Sequence, residues 1–552
     1  MSSGITSTRQ EKAAEPGREV EWQLASTDLG SVRRWLADHS RIDGLLLEPR
    51  STLQILDTYL DTDDWRIHRA GFALRVRSGT GTGSGTTEAT LKSLHSASTE
   101  VADRRELSEP LDNTESESIR QSSGPVGTRV HAVSGAHALV PLFEVRTSRQ
   151  RFAVHREDEA QQLGEIALDE TVISRPHGEP RTSMQRVEVE ALTAAHEPLQ
   201  SLVDTLRSNC ALESASDSKY SRGLKSVGLA PGPVPEFAPT AVDPSMPMVE
   251  VALANLRRYW SAWHLHEPGA RLGDNPEELH DLRLAGRRLE AILRQFRSWL
   301  PAPFLRVRPA LKKILRALGD ARDLDVALSQ LEKFSRKLPA SDHAGIEPLR
   351  RHLESERGRA RTRMLNLLDS VSVQRTLQKF TLLLTTPASA SKPPPEWALH
   401  VAPETIKRRY RKVRKSAGGL APDSPVEAYH AVRGHVKKLR YVLEAVAVIY
   451  GKPADDMLRA LHRWQEKLGV QQDAAVASRR LMALASAPPK GIPPETLFLM
   501  GRFAEHYAIA AGRARKVYGS AYRKVRGRWK RLRMKFQESA VESAPALPDA
   551  TP

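Results

Sequence analysis

The sequence has few of the features that mark secreted or membrane proteins. It contains one cysteine, Cys210, among 552 residues, so an internal disulfide framework is excluded and a reducing compartment is indicated. The first residues are polar and contain no apolar segment typical of a signal peptide. No stretch approaches the roughly 18 uninterrupted apolar residues that a membrane span needs. These absences predict a soluble, cytoplasmic protein that does not contact a membrane.

Several common catalytic signatures are also missing. A Gly-rich tract at residues 79–85 is not followed by Gly-Lys-Ser/Thr, so it does not form a P-loop. There is no His-Glu-x-x-His sequence and no cysteine-rich zinc pattern. P-loop nucleotide hydrolysis and zinc chemistry are therefore not indicated.

Charge is distributed unevenly along the chain. Residues 1–240 hold 27 Lys and Arg against 35 Asp and Glu, whereas residues 241–552 hold 56 basic and 31 acidic residues. This asymmetry indicates two functional units, with an anionic partner for the second. Nucleic acid, an anionic membrane surface and polyphosphate all satisfy that condition, and charge alone does not choose among them.

Alternating polar and apolar residues dominate the first part. In residues 18–24, Glu19, Glu21 and Gln23 share one face, and Glu188 and Glu190 do the same in residues 186–192. Period-two segments separated by Gly- and Ser-rich turns predict antiparallel strands in a barrel or sandwich. Polar faces turned inward would combine carboxylates for a divalent metal with cations for phosphate. The alternative is that these faces contact solvent.

The second part is helical, and it repeats at an offset of 150 residues. His280, Arg283 and Arg287 recur as His430, Arg433 and Lys437, and six apolar, Gly or Asp positions recur at the same offset. The agreement predicts a duplicated helical bundle. Asn275-Pro276 and Ser424-Pro425 are interpreted as the cap and first residue of equivalent helices.

Each of these two helices carries a basic face opposite an apolar stripe. At about 100° per residue, the first face gathers His280, Arg283, Arg287 and Arg294, and the second gathers His430, Arg433, Lys437 and Arg440. A solvated surface is the simpler interpretation, but recurrence in both copies favours a cationic groove for phosphate, which arginine binds through paired hydrogen bonds. Basic clusters at residues 407–412 and 523–535 are candidates to extend the groove. Few aromatic residues interleave with these cations, which favours backbone-only anion binding over base stacking.

The helical motifs resemble those of CHAD domains. The resemblance rests on His280-x-x-Arg283-x-x-x-Arg287-Arg288-Leu289, on Leu318-Gly319 before Arg322-Asp323, and on a second copy that runs from His430 to Tyr441. It implies a helical duplication that binds inorganic polyphosphate and associates with polyphosphate granules. The implied polyphosphate-binding residues are His280, Arg283, Arg287, Arg288, Arg294, His430, Arg433, Lys437, Lys438 and Arg440. Glu290 departs from the family pattern and is expected to weaken one end of the groove.

The first part resembles the CYTH, or triphosphate tunnel, family. The matching motifs are Glu19-x-Glu21, the segment from Arg69 to Arg77, Thr90-Leu91-Lys92, Arg104-Arg105-Glu106, Arg149, Glu188-x-Glu190 and Ser218-Lys219-Tyr220. The resemblance implies a tunnel that binds Mg²⁺ or Mn²⁺ through Glu19, Glu21, Glu188 and Glu190. It also implies candidate catalytic residues at Glu19, Glu21, Arg75, Arg77, Lys92, Arg105, Arg149 and Lys219. Gln23 replaces the motif lysine, and Ser108, next to Glu109, replaces an expected glutamate.

Together these features predict an α+β protein, in which an antiparallel β-barrel domain precedes an all-α duplicated bundle. The predicted limits are a disordered segment 1–17, a CYTH domain 18–228, a Pro-rich linker 229–247, a CHAD domain 248–536 with repeats at 248–385 and 398–536, and a disordered tail 537–552. The expected function is hydrolysis of inorganic triphosphate together with polyphosphate binding. A degenerate tunnel attached to a polyphosphate-binding module is the alternative, and a nucleic-acid-binding protein ranks below both.

Overall fold

A computed structural model describes residues 18–80, 87–94, 102–157, 161–192, 197–231, 237, 239–385, 396–421, 424–516 and 518–542. The chain forms two compact units, residues 1–233 and 234–552. The predicted disordered segment 1–17 lies outside the described residues, as does the end of the predicted tail, residues 543–552.

The first unit combines strands with short helices. Its described strands are β1 (Arg18–Ser26), β2 (Arg41–Ile42), β3 (Leu45–Pro49), β4 (Leu53–Thr62), β5 (Phe72–Thr80), β6 (Thr87–Ser93), β7 (Ala102–Leu111), β8 (Leu139–Arg156), β9 (Gln162–Ser174), β10 (Pro180–Ala191) and β11 (Glu213–Ser214). Its helices are α1 (Leu29–Asp38), α2 (Arg66–Arg69), α3 (Ser116–Gln121), α4 (Pro125–Ser134), α5 (Glu197–Cys210) and α6 (Lys219–Val227).

All the strands belong to one antiparallel sheet, in the order β2-β3-β8-β4-β5-β6-β7-β1-β10-β9, with β11 on β1. The long strand β8 also pairs with β9, so its residues Glu144–Arg149 have β4 on one side and β9 on the other. Each strand in the series β8-β4-β5-β6-β7-β1-β10-β9 therefore has a neighbour on both sides, so these eight strands close into a ring. Further along β8, β3 and β2 continue as an arm outside this ring. The prediction of an antiparallel barrel is confirmed.

Alternation along β1 and β10 separates the core from the polar face. Trp22 and Leu24 of β1 and Val187 and Val189 of β10 are buried in a cluster that includes apolar residues of α1 and α5. Burial of each such side chain stabilises the fold by roughly 1.5–3 kcal/mol. Because successive side chains point to opposite faces, the glutamates between them are held on the other face of the sheet.

The second unit is helical. Its helices are α7 (Met248–Leu272), α8 (Pro276–Gln295), α9 (Ala302–Leu305), α10 (Arg308–Ser335), α11 (His343–Asp369), α12 (Val371–Thr385), α13 (Ala398–Gly418), α14 (Val426–Tyr450), α15 (Lys452–Ser486), α16 (Pro494–Lys516) and α17 (Tyr518–Glu542), with a 3₁₀ turn at Ala340–Asp342. Helices α7 and α13 begin 150 residues apart, as do α8 and α14. A single core runs through this unit, with Trp260, Trp263 and Trp464 among its largest fully buried side chains.

The predicted capping arrangement is present at the start of α8 but not at the start of α14. Asn275 caps α8 and accepts a hydrogen bond from the Glu277 amide, with Pro276 as the first helical residue. In the second repeat Pro425 is the cap residue, without a side-chain hydrogen bond. The Ser424 hydroxyl instead accepts a hydrogen bond from the Ala421 amide, within the preceding turn.

The ends of the predicted segments also differ from expectation. Residues 537–542 continue α17 instead of starting the tail. Phe237, placed in the linker, is 4% exposed and belongs to the core of the helical unit. In the part of the chain that the structure describes, no helix is both long enough and apolar enough to cross a membrane.

Candidate functional sites

The polar face of the sheet lines a cavity with a volume of about 200 Å³. Side chains from β1, β4–β10 and α6 contribute to it. Its charged lining residues are Glu21, Arg75, Arg77, Glu88, Lys92, Glu106, Arg149, Glu165, Glu188, Glu190 and Lys219. Six carboxylates and five cations therefore share one small cavity.

Two predicted metal ligands face each other directly. In the pairing of β1 with β10, Glu21 lies opposite Glu190, and Gln23 lies opposite Glu188. Directly opposed side chains on one face of a sheet have Cβ atoms about 4.5–5.5 Å apart, and like charges at that separation repel. A cation between the carboxylates removes this repulsion, and oxygen donors are those that Mg²⁺ and Mn²⁺ prefer. The residues present therefore fit a divalent metal.

Cations already neutralise some of these carboxylates. Lys92 Nζ lies 3.1 Å from Glu21 Oε1 and 3.6 Å from Glu106 Oε2. Arg149 contacts Glu188 at 2.6 Å, and Lys219 contacts the same carboxylate at 2.9 Å. Asp169 accepts hydrogen bonds from both Arg149 and Lys219.

Arg75 and Arg77 are held by a second buried acid. The guanidinium of Arg77 donates two hydrogen bonds to Asp57, at 2.7 and 3.0 Å. Arg75 lies 3.8 Å from Asp57 and 3.5 Å from Glu106. Asp57 therefore orients both arginines toward the cavity.

These contacts shift several pKa values. Burial disfavours the ionised form of Asp57, but Arg77 and Arg75 outweigh it and lower the pKa to about 2. Burial acts on Glu188 in the same direction, and Lys219 and Arg149 hold its pKa well below the usual range. Both carboxylates remain ionised at neutral pH, so they are available as metal ligands or counterions.

Gln23 replaces the motif lysine, and it connects two charged residues. Its amide nitrogen donates to Glu21 Oε1 at 2.5 Å, and its amide oxygen accepts from Arg186 Nη1 at 3.3 Å. Arg186 is 5% exposed and also donates to the backbone oxygen of Asp217. Burial lowers the pKa of Arg186, and the nearby Glu188 and Glu21 oppose that effect.

The structure does not place Glu19, Arg105 or Glu109 in the cavity. Glu19 belongs to β1, but its side chain lies outside the described residues. Arg105 is exposed, whereas its neighbour Glu106 lines the cavity, because adjacent strand residues face opposite ways. Ser108 does line the cavity, while Glu109 accepts hydrogen bonds from the Val126 and Gly127 amides at the start of α4.

Sequence reasoning named Glu106 only as part of a motif and missed three other residues that shape the cavity. Asp57, Glu106 and Asp169 neutralise its cations, and Arg186 contacts Gln23. Alternation with known cavity residues is a usable signal for Arg186, which lies two residues before Glu188 on the same strand. The same signal applies to Asp57, which lies two residues before the cavity-lining Tyr59 on β4, although its pairing with Arg77 depends on the next strand.

A separate acidic group lies outside this cavity. Ligand atoms of Asp63, Asp64 and His137 lie within 4.8 Å of one another. Asp64 is already engaged by Arg66 at 3.2 Å and by Arg69 at 2.8 Å. This cluster was not predicted, and protein cations neutralise one of its two aspartates, Asp64.

In the helical unit, the predicted basic faces of α8 and α14 meet. The pKa of Lys437 is lowered to about 8, first by burial and then by Arg287, Arg433, Arg294 and Arg283. A lysine of α14 is thus destabilised in its charged form by three arginines of α8. Such repulsion between neighbouring cations is relieved by a bound anion.

Equivalent glycines bring equivalent arginines against the next helix. A Cβ at Gly319 would lie 3.6 Å from Arg283, and a Cβ at Gly469 would lie 3.7 Å from Arg433. Arg283 is also 3.6 Å from Asp323. Burial raises the pKa of Asp473, the counterpart of Asp323, and Arg433 opposes the rise. His430 contacts Gln472 at 2.6 Å, and His280 is exposed.

Two predicted groove residues have a packing role instead. Arg440 is buried and contacts Glu444 at 2.7 Å, and Arg288 lies 3.7 Å from the same carboxylate. The two guanidinium groups also stack on tyrosines, Arg288 on Tyr259 and Arg440 on Tyr441. Shared use of Glu444 links the two repeats and removes these arginines from the free basic face.

A third helix extends the basic face at the end near Arg294. Burial lowers the pKa of Lys438, with Arg294, Arg409 and Lys412 adding to the effect. Arg409 and Lys412 belong to α13 and to the predicted cluster at 407–412. Glu290 lies 3.9 Å from Arg294 and 3.2 Å from Arg308 at this end, where it reduces the local positive charge.

The cluster at 523–535 contributes to a separate groove between α15 and α17. Its basic lining residues are Arg459, Arg463, Lys467, Lys524, Arg528 and Arg531. Asp456 is the one acidic residue among the described lining side chains and contacts Arg459 and Arg528. Counterparts of the α15 cations in the first repeat are Pro309, Lys313 and Ala317, so this groove is not part of the duplication.

The fold and its sites define a sheet domain with a charged cavity, followed by a duplicated helical domain with a basic face. Family models agree with both: a CYTH domain matches residues 33–224, and a CHAD domain matches residues 254–482. The chain therefore carries a CYTH domain followed by a CHAD domain. A search of curated proteins finds no match.

Solved structures similar to the chain match one domain each. The CHAD domain from the plant Ricinus communis is 23% identical, with a TM-score of 0.40 over 54% of this chain and 94% of its own. PptA from Streptomyces chartreusis is 20% identical, with a TM-score of 0.39 over 50% of this chain and 99% of its own. HpAC1 from Hippeastrum, described as a putative adenylyl cyclase with a dominant triphosphatase activity, is 18% identical, with a TM-score of 0.29 over 38% and 97%.

Proposed function

We propose that the CYTH domain hydrolyses inorganic triphosphate with Mg²⁺ or Mn²⁺, and that the CHAD domain binds inorganic polyphosphate. The observation that supports the enzyme proposal most is the convergence of five cations and an opposed glutamate pair in one small cavity. The match to CYTH domains and the triphosphatase activity attributed to the Hippeastrum protein agree with it.

The cavity residues divide the chemical work between them. Arg75, Arg77, Lys92, Arg149 and Lys219 would hold the phosphate oxygens, since arginine and lysine form short charge-assisted hydrogen bonds with phosphate. Glu21, Glu188 and Glu190 would hold the metal. When bound, a divalent metal polarises a phosphoryl oxygen and lowers the pKa of a coordinated water.

The ion pairs in the cavity indicate the order in which metal and phosphate would bind. Lys92, Arg149 and Lys219 now contact Glu21 or Glu188. Metal binding at those carboxylates would free the cations for phosphate, so metal and substrate binding would support each other. Asp57 keeps Arg77 in place throughout, because its two hydrogen bonds do not depend on the metal ligands.

Phosphate release from tripolyphosphate tests the enzyme proposal. With Mg²⁺ or Mn²⁺, the full-length protein is expected to release phosphate, and Glu188→Gln is expected to lower the rate by on the order of 100-fold. Glu170→Gln is the matched control, because Glu170 lies on the outer face of β9 and contacts Arg33 of α1. Absence of turnover in the unmodified protein would favour a degenerate cavity in a polyphosphate-binding module.

The polyphosphate proposal rests on the basic face formed by α8, α14 and α13. Lys437 and Arg433 lie in its centre and recur as Arg287 and Arg283 in the first repeat. No stacking platform accompanies these cations among the described residues, and Tyr441 is buried beneath Arg440. This arrangement favours a phosphate backbone over nucleic-acid bases.

Charge reversal tests the polyphosphate proposal. Arg433→Glu with Lys437→Glu is expected to weaken polyphosphate binding by at least 100-fold in a titration. Lys333→Glu with Lys337→Glu changes the net charge equally at two exposed sites and should change affinity little, because Lys333 lies about 21 Å along α10 from Gly319 and Lys337 lies just beyond the end of that helix. Polyphosphate should displace duplex DNA readily. Preferential retention of DNA would support the nucleic-acid alternative.

A further inference from the structure

The departure from the family motif at Gln23 has a structural counterpart on the neighbouring strand. In the register of β1 and β10, Gln23 faces Glu188, and Arg186 faces Ala25. The single methyl group of Ala25 leaves room for the long Arg186 side chain to extend diagonally toward Gln23. Diagonal neighbours on a sheet are within reach of long side chains.

The orientation of the Gln23 amide follows from its two partners. Arg186 can only donate hydrogen bonds, and the ionised Glu21 carboxylate can only accept them. The amide oxygen therefore faces Arg186, at 3.3 Å, and the amide nitrogen faces Glu21, at 2.5 Å. A neutral side chain thus connects a buried cation with a candidate metal ligand.

Arg186 carries a charge that no contacting carboxylate neutralises in the described part of the chain. Its described hydrogen bonds go to the Gln23 amide oxygen and the Asp217 backbone oxygen. Glu188 and Glu21 act on it only electrostatically, from a greater distance. A buried, incompletely neutralised cation is stabilised when an anion enters nearby.

We propose that Arg186 supplies the positive charge that the motif lysine would provide, acting through Gln23 on Glu21 and on a bound triphosphate. Arg186 is then a positioning residue of the cavity, and the Gln23–Arg186 pair replaces one lysine. The inference rests on the proposed triphosphate site, but it concerns a pair of residues particular to this chain.

This arrangement makes a counter-intuitive prediction for Gln23→Lys, the change that restores the family motif. The new ammonium would lie beside the Arg186 guanidinium, where Gln23 now offers a hydrogen-bond acceptor. The two cations would repel, so the single change should not improve triphosphate binding. Gln23→Lys combined with Arg186→Met removes the repulsion and should bind at least as well as the unmodified protein.

The test is a double-mutant cycle on the full-length protein, read by calorimetric titration with a non-hydrolysable tripolyphosphate analogue in the presence of Mg²⁺. Arg186→Met alone should weaken binding about tenfold, and adding Gln23→Lys should restore it. Arg146→Met is the matched control, because Arg146 is half exposed and contacts Glu144 outside the cavity. Recovery of binding in the double variant shows that Arg186 positions cavity residues, because a lysine at position 23 would not repair a fold that needs Arg186.

The outcomes also separate this inference from the proposed function. Improved binding by Gln23→Lys alone, with no effect of Arg186→Met, would overturn the role of Arg186. Additive effects of the two changes would overturn it as well. If the unmodified protein binds tripolyphosphate but releases no phosphate, hydrolysis fails while the cycle still decides the role of Arg186.

Discussion

The two proposed anion sites of this protein use cations in opposite ways. In the CYTH cavity, Lys92, Arg149 and Lys219 are each neutralised by carboxylates within about 3 Å. On the CHAD face, Lys437 is surrounded by arginines that lower its pKa. Neutralised cations hold a fixed geometry and need an exchange of partners before they bind a ligand. Unneutralised cations attract an anion at once, with less geometric selection.

This difference explains why only one site is expected to need a metal. In the cavity, a divalent ion competes with lysine and arginine for the glutamates and thereby frees the cations. On the CHAD face, Asp323 and Asp473 also lie close enough for the charge of Asp323 to raise the pKa of Asp473, but arginines accompany both aspartates. Protein cations therefore already neutralise this pair.

Metal removal should give the largest contrast between the domains. With excess chelator, hydrolysis of tripolyphosphate should fall to background, whereas polyphosphate affinity should stay within about twofold. A phosphate-release assay and a binding titration in the same buffers measure the two quantities. Polyphosphate binding that disappears with the metal would show that the CHAD face does not act by its own charges.

Salt should give the second-largest contrast, because it should weaken ligand binding by the two domains to different extents. Polyphosphate that contacts about six cations should lose roughly 10³-fold in affinity between 50 and 200 mM salt, because binding releases condensed counterions. The KM for tripolyphosphate should change far less, since its partners are partly buried and poorly screened. Equal salt dependence of the two quantities would mean that the cavity is a solvated surface as well.

The groove between α15 and α17 should have a smaller, length-dependent effect. Arg463→Glu with Arg531→Glu is expected to weaken binding of long polyphosphate about tenfold and to leave short chains unaffected, because only a long chain can occupy two sites at once. Lys333→Glu with Lys337→Glu again provides the control. Equal loss for short and long chains would indicate a general charge effect.

The smallest expected effect is that of pH on the CHAD face. Lys437 has a pKa of about 8, so it is charged below pH 8 and loses its charge as the pH rises above that value. Bound polyphosphate stabilises the charged form, and affinity should therefore fall a few-fold between pH 7.5 and 9.5. Lys437→Arg should flatten the profile, since arginine stays charged throughout. If Lys437→Arg leaves the pH profile of polyphosphate affinity unchanged, a group other than Lys437 causes the fall.

Local patterns in the sequence were sufficient for much of this account. Alternation identified the strands that carry Glu21 and Glu188, and the 150-residue offset identified the helices that carry Arg283 and Arg433. These signals work because the period of a strand or helix fixes which side chains share a face. A motif match alone does not identify the inward-facing residue when it covers two adjacent strand residues. Arg105 and Glu106 both match the motif, but only one of them can face inward.

Features that depend on tertiary pairing were not accessible in this way. Arg288 and Arg440 lie on the basic side of their helices by spacing, but both contact Glu444 where the repeats pack together. Helical periodicity does not specify which neighbour covers a face. The Gln23–Arg186 contact is similar, because it requires the register of β1 against β10.

The central claim is that one chain holds two separate phosphate sites, and reciprocal variants test it most directly. Tripolyphosphate hydrolysis and polyphosphate affinity would both be measured for Glu188→Gln and for Arg433→Glu with Lys437→Glu. The account predicts that Glu188→Gln lowers hydrolysis on the order of 100-fold and leaves polyphosphate affinity intact, and that the charge reversal weakens polyphosphate binding and leaves hydrolysis intact. Loss of both quantities in either variant would contradict two separate sites.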